Sequence, residues 1–356
     1  MAIPKGYTSK LGYKKASAWD TPVACGAGDG VEILPGESLA QNNVLLEDGS
    51  FIGQATPYHG DVGKEESGGS FSVNLKYQGL EVLLAHILGT AGAPTQQGTT
   101  AAYKHTLTVA NDVEGKFGTL VVDRGFEVHE YGNFKPNKFA ISADADGQFL
   151  ATEFTGLAHK RLNNGGTGTN NTTTIANVTF PTVRELIKFS QLKAYIDDVA
   201  TVGALGAAHL VYIKGFSVDC ERPVEGPVTT KYGTFIEEPL LSGYLNLNFK
   251  ADFPALRSDD SVPTMLAAAR TKTRQRCLLL LTGGTCDGAY AYEMRVWMPA
   301  VQFTLEGATA ENAGVMPFSL NGRVWAHQGA SAPTGFPNQN AITIQLVNKR
   351  NTDALA

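Results

Sequence analysis

A chain of 356 residues, 43% apolar and 18% charged, is long enough for two ordinary domains and apolar enough to bury a core, which excludes a disordered or highly charged tail. Its 39 glycines, 16 prolines, 17 phenylalanines and 12 tyrosines argue against a helical bundle and for strands joined by many turns. The 29 basic and 34 acidic side chains leave a net charge of -5, without the basic footprint of a sequence-reading nucleic-acid binder.

All of that net charge falls in the first half: residues 1–180 hold 13 basic and 18 acidic groups, while 181–356 hold 16 of each. The opening Met1-Ala2-Ile3-Pro4-Lys5 has no apolar signal core, and no apolar run exceeds the five residues from Cys277 to Leu281, far short of the roughly 20 of a membrane helix. Synthesis and retention in a cytoplasm are expected, with no membrane partner. Cys25, Cys220, Cys277 and Cys286 have neither CxxC spacing nor the density of a stapled secreted domain, so buried free thiols are expected.

Along the chain, the polar N-terminal arm from Met1 to Lys15 is expected to order only on assembly. The glycines of Gly26-Ala27-Gly28-Asp29-Gly30 lack the lysine and the strand-turn-helix setting of a phosphate loop, and a turn is predicted. After Asp48-Gly49-Ser50-Phe51-Ile52 comes the stretch Gly53 to Lys64, read as a loop. Val73, Leu75 and Tyr77 then alternate with Asn74 and Lys76, the period of a strand with one buried face. Leu80, Leu83, Leu84, Ile87 and Leu88 follow at i, i+3, i+4, i+7 and i+8, predicting a core helix stopped by Gly89. Burying those five side chains is worth roughly 7 to 15 kcal/mol gross. Strands over 136–143 and 148–159 are joined by the hairpin turn Asp144-Ala145-Asp146-Gly147. The Thr/Asn/Gly-rich stretch 162–178 reads as an exposed linker.

The second half repeats this plan. An offset of 172 lays residues 65–77 over 237–249 without a gap, with Glu65-Glu66 over Glu237-Glu238 and Asn74 over Asn246. Asp48 to Ile52 matches Tyr232 to Ile236 at an offset of 184, so the first copy carries twelve extra residues, Gly53 to Lys64. A second helix is predicted from Asp260 or Ser261 as N-cap, with Pro263 in its first turn, toward Arg276. Strands over 299–305 and 315–327 mirror the earlier hairpin, and the tail from Asn348 to Ala356 is expected to order only on assembly. A mainly β (α+β) unit used twice, over 1–180 and 181–356, accounts for this period.

No chemistry accompanies the fold. The seven histidines show no HExxH and no metal-ligand spacing, and no GxSxG elbow is present. His86, beside the apolar stripe of its helix, is expected to be a partly buried, satisfied imidazole. Asp144-Ala145-Asp146-Gly147 opens like a calcium loop but has no closing acid. No catalytic, cofactor-binding or metal-binding residues are expected.

The Glu-Glu and Ser/Gly cluster, the alternating strand, Gly-Leu-Glu-Val-Leu-Leu-Ala-His-Ile-Leu-Gly at 79–89 and the His129 to Ser142 segment before Asp146-Gly147 together resemble the tail tube (major tail) proteins of long-tailed, non-contractile bacteriophages. The resemblance implies a duplicated tail-tube fold, each copy a β-sandwich or half-barrel with one flanking helix. It also implies rings in which sheets join edge to edge around a lumen, assembled in the bacterial cytoplasm into the virion tail. If six folds close a ring and each chain carries two, three chains suffice. Implied partners are further copies of the chain, the tape measure, tail terminator and distal tail proteins, and viral DNA passing through without specific binding. Gly53, Tyr58, His59, Asp61 and Lys64 become candidates for an inter-ring loop, and Ser72, Asn74, Asn246 and Asn248 for the lumen face.

A tube protein of a contractile tail or type VI-like secretion apparatus shares the implied fold. The competing class is a secreted carbohydrate-binding or adhesion module, suggested by sequons at Asn170, Asn171 and Asn177. Unpaired cysteines and the single placing of Trp19, Trp297 and Trp325 weigh against it.

Overall fold

Alternation of apolar and polar side chains sets most of this chain into strands, and the computed structural model describes residues 6, 9–48, 50, 59–145, 149–163, 168–170, 175, 177–254, 262–305 and 318–355. In order the elements are β1 (Lys10–Lys15), β2 (Gly30–Val31), β3 (Ala40–Glu47), β4 (Gly60–Asn74), α1 (Glu81–Leu88), β5 (Gly89–Ala91), β6 (Thr95–Gln96), β7 (Tyr103–Val109), β8 (Gly118–Asp123), β9 (Val128–Asp144) and β10 (Ala151–Leu162). There follow β11 (Leu192–Asp198), β12 (Leu210–Val211), β13 (Gly215–Glu221), β14 (Val224–Glu225), β15 (Leu240–Leu241), β16 (Asn246–Phe253), α2 (Val262–Thr271), β17 (Arg274–Asp287), β18 (Tyr290–Leu305), β19 (Phe318–Trp325) and β20 (Thr343–Asn348). Among the described residues eighteen strands join one sheet, and β14 pairs with β15 apart from it.

Two long strands organise the sheet. β10 runs along one edge of β9, while the other edge is shared by β8 on its N-terminal part and β13 on its C-terminal part. β17 likewise runs along one edge of β18, and β20 and β19 divide the other. Register breaks at Thr155/Gly156 and Gln275/Cys277 bend these ladders, as bulges do. One strand can then serve two layers, and consecutive residues of β9 from Val128 through Pro136 are buried, the signature of a strand covered on both faces.

β4, β10 and β9 lie side by side as β16, β19 and β18 do. The two parts of the chain are also interleaved: β9 pairs with β13, and β7 pairs with the C-terminal β20 from Thr343↔Thr108 to Asn348↔Tyr103.

α1 sits in this core. Leu80, Leu83, Leu84, Ile87 and Leu88 are buried, but so are Glu81, Ala85 and His86, so the helix is enclosed rather than amphipathic at a surface. Gly89 closes it in the left-handed region at φ 95, where a side chain would also press on Ala110. The freed carbonyls of Ile87 and Leu88 accept from the buried guanidinium of Arg222, which also donates to Ala110 O. A cation at the negative end of the helix satisfies both dipole and hydrogen bonds. α2 stops at Thr271, short of Arg276, where Lys272 takes φ 57; its N-cap candidates Asp260 and Ser261 lie outside the described residues.

Four expectations are corrected. Gly60 to Lys64 are not loop but the start of β4, paired with β3 through Leu45↔Val62, Leu46↔Asp61 and Glu47↔Gly60, because the alternation begins earlier than its apolar part shows. Gly53 and Tyr58 lie outside the described residues, and His59 precedes the strand, accepting from Asp48 N at 3.0 Å. The stretch 162–178 is not simply an exposed linker: Asn170 bonds Glu130, Val23 O and Cys25 N, and Ile175 and Val178 are buried with Cys25, Val121 and Val128. The polar arms need no assembly partner over 10–15 and 348–355. β1 is an integral strand with Leu11 and Tyr13 buried, and Asn348 and Ala354 are buried too.

Candidate functional site

Alternate side chains of the central strands fall on two faces. Phe71, Val73, Phe139, Phe154, Val218, Phe249 and Leu320 are buried on one. The other is polar, and the strand registers align it into rows across β4, β10, β9, β13, β16, β19 and β18. One row reads Ser72, Glu153, Ala140, Asp219, Asn248, Arg323 and Gln302. Its neighbour reads Asn74, Ala151, Ser142, Ser217, Lys250, Asn321 and Thr304, and on the far side run Ser70, Thr155, Lys138, Glu221 and Asn246.

Ser72, Asn74, Asn246 and Asn248 thus share one face. Asn74 and Asn246, superposed by the ungapped repeat, nevertheless stand two rows apart. Side-chain alternation fixes the face of a residue, but only the interstrand register fixes its row. In these three rows Glu153, Asp219 and Glu221 stand against Lys138, Lys250 and Arg323, so the charges cancel. Local bonds hold the surface in shape: Ser217 Oγ donates to Asp219 at 3.1 Å and Lys250 Nζ pairs with Asp252 at 3.2 Å. Across these three rows the surface is neutral and rich in hydrogen-bonding groups, bordered by Asp144 and Asp252 in the next row, with the seven residue pairs from Gly215↔Asp144 to Glu221↔Lys138 joining its two parts.

Two hairpin arms leave the sheet. β3 and residues 60–68 of β4 form the first, with Val44, Leu45, Leu46 and Val62 exposed. Residues 224–241 form the second, based on β14 and β15 and braced by Val228↔Ile236. Its tip lies against the first part of the chain. Ile236 O accepts from Trp19 Nε1 at 3.3 Å and His159 Nδ1 at 2.7 Å, and Glu65 N donates to Thr234 O at 2.9 Å. Tyr232 and Phe235 pack on the His159 ring at 4.9 and 5.5 Å. Burial pushes the His159 pKa down, opposed by the Ile236 carbonyl and Asp20.

Lys135, buried, donates to Glu238 at 2.7 Å and Pro239 O at 2.8 Å. No role for Lys135, Glu238, His159 or Trp19 at this contact is legible in the sequence, since each finds its partner in the other part of the chain. The doubled Glu-Glu was the available signal: Glu65 accepts from Thr234 Oγ1 and Glu238 pairs with Lys135. Of the inter-ring candidates, Asp61 and Lys64 lie on the first arm with His59 at its outer end, beyond the Glu47↔Gly60 pair, and the lumen candidates lie on the polar face instead.

No helix among the described residues is long and apolar enough to cross a membrane. A family model described as phage tail tube protein matches residues 6–272. No curated protein matches the chain.

Proposed function

The chain belongs to the phage tail tube protein family, and from that premise we propose that it polymerises as stacked homotrimeric, pseudo-sixfold rings whose lumen conducts viral DNA into the host. Membership makes it a structural, β-rich component of the virion tail that assembles with itself and other tail proteins. The carrying observation is the neutral polar face running unbroken over seven strands. It supports the lumen reading, with Ser72, Asn74, Asn246 and Asn248 among the lining residues.

DNA carries about one negative charge per 1.7 Å of helix axis, so a basic lumen would hold it by counterion release and a neutral one lets it slide. The trimer reading draws support from the matched triplets β4-β10-β9 and β16-β19-β18, one from each copy of a duplicated unit. Their edge-to-edge joint between β9 and β13 is repeated between chains when a ring closes. Tape measure, tail terminator and distal tail proteins are the expected partners, with assembly in the bacterial cytoplasm and no catalytic role.

The lumen reading is tested by placing lysines at Ser72, Asn74 and Asn248 together. Tails should still form, and genome ejection should slow at low salt and recover as salt rises; unaltered ejection kinetics refute it. The first arm, carrying Asp61 and Lys64 and continuing toward Gly53, Tyr58 and His59, is proposed to touch the next ring. Replacing residues 53–58 with a short glycine linker, which spares residues 60–64 of the β3–β4 ladder, should leave single rings and stop tube growth, and long tubes from that variant would exclude the contact.

A further inference from the structure

The first arm is a ladder of seven paired positions and the second only two with one further bridge, and their surfaces are covered differently. The second is seated: Ile236 at its tip is 2% exposed, held by Trp19 and His159, and its backbone meets the base of the first arm through the Glu65↔Phe235 bridge. The first arm is bare along its sides, with Leu45 62% and Leu46 56% exposed beside Val44 and Val62. An isolated two-stranded hairpin is marginal in water, and a cluster of exposed aliphatic side chains on one marks a surface that awaits a cover.

A matching bare surface lies at the base of the second arm. Leu240 and Leu241 are exposed, Tyr244 is 94% exposed, and Trp325 stands beside them over a groove of about 560 Å³. The in-chain contact supplies the geometry: an arm reaches across the joint and lands at the base of the preceding arm. Carried round a ring, that relation brings the first arm of one copy to the base of the second arm of its neighbour, where these four residues are.

We propose that the first arm of each copy seats laterally, through the face that carries the cross-strand pair Leu45 and Val62, on the Leu240, Leu241, Tyr244 and Trp325 patch of the adjacent copy in the same ring. Each joint in the ring, inside or between chains, is then clasped by one arm. This assignment rests on the ring reading above. It leaves the arm tip for contact with the next ring, so the two contacts use different parts of one hairpin.

The test uses the full chain with a photoreactive benzophenone amino acid at Leu45, and separately at its cross-strand partner Val62, both exposed positions that leave the core untouched. Isotopically heavy and light copies are mixed, assembled into single rings, irradiated and mapped by mass spectrometry. Heavy-to-light cross-links should fall within residues 237–245 and 323–326 and be present in single rings. Rings whose cross-links map elsewhere, or that give them only after stacking into tubes, overturn the lateral seat while leaving the ring reading intact. A chain that forms no rings under any condition refutes both.

Discussion

Tyr13 and His86 illustrate how single residues fix the interior. The Tyr13 hydroxyl meets His86 Nδ1, and the rings pack edge-on at 5.6 Å. Burial first, then Lys15, Lys116 and Lys135, push the His86 pKa down to about 3, so the native imidazole is neutral. Because its folded pKa lies below its unfolded one, the unfolded chain binds the extra proton between those values. Stability is full above the unfolded pKa near 6.5 and falls with pH toward 3, by about 1 kcal/mol per pH unit. Urea midpoints of the wild type should therefore drop more steeply between pH 6.5 and 5 than those of His86→Gln; parallel slopes would show that His86 is not the group responsible. The helix spacing placed His86 next to an apolar stripe, but not its full burial, because Tyr13 arrives from a strand far away in sequence.

Among the elements, α1 depends most visibly on a distant residue. Arg222 gathers Ile87 O, Leu88 O and Ala110 O, so removing the guanidinium strips these carbonyls of a charged donor and leaves Leu88 O only its bond from Ala110 N. Arg222→Met should lower stability by about 3 kcal/mol, and Arg222→Lys by less, since an ammonium keeps the charge but cannot span all three acceptors. Denaturant midpoints decide this, and an Arg222→Met protein as stable as wild type would refute the capping role. The strand containing Val73 and Leu75, its counterpart with Leu247 and Phe249, and the helix from Leu80 to Leu88 were legible because their periods are local. Partners and registers were not: nothing near Tyr103 announces pairing with Asn348, and nothing in the Asn-rich stretch announces that Asn170 would be held by Glu130. The polar face followed from alternation, but its rows and cancelling charges required the registers of six strand pairs.

For the whole molecule, the β9–β13 joint and the β7–β20 pairing join the two parts of the chain in one hydrogen-bonded sheet. Membership of the tail tube family gives that sheet a purpose, and the neutral face, the internal joint and the paired arms are read as a fragment of a closed ring. An edge left unpaired in a monomer is an aggregation hazard; paired to a copy, it becomes the assembly device. The most direct measurement is electron microscopy of the purified protein, with end views classified by symmetry and chain number fixed by the mass of the ring. Rings or hollow tubes with three chains per ring and pseudo-sixfold outlines are predicted. Rings of six chains would contradict the trimer, and particles that stay monomeric at high concentration would contradict assembly through this sheet altogether.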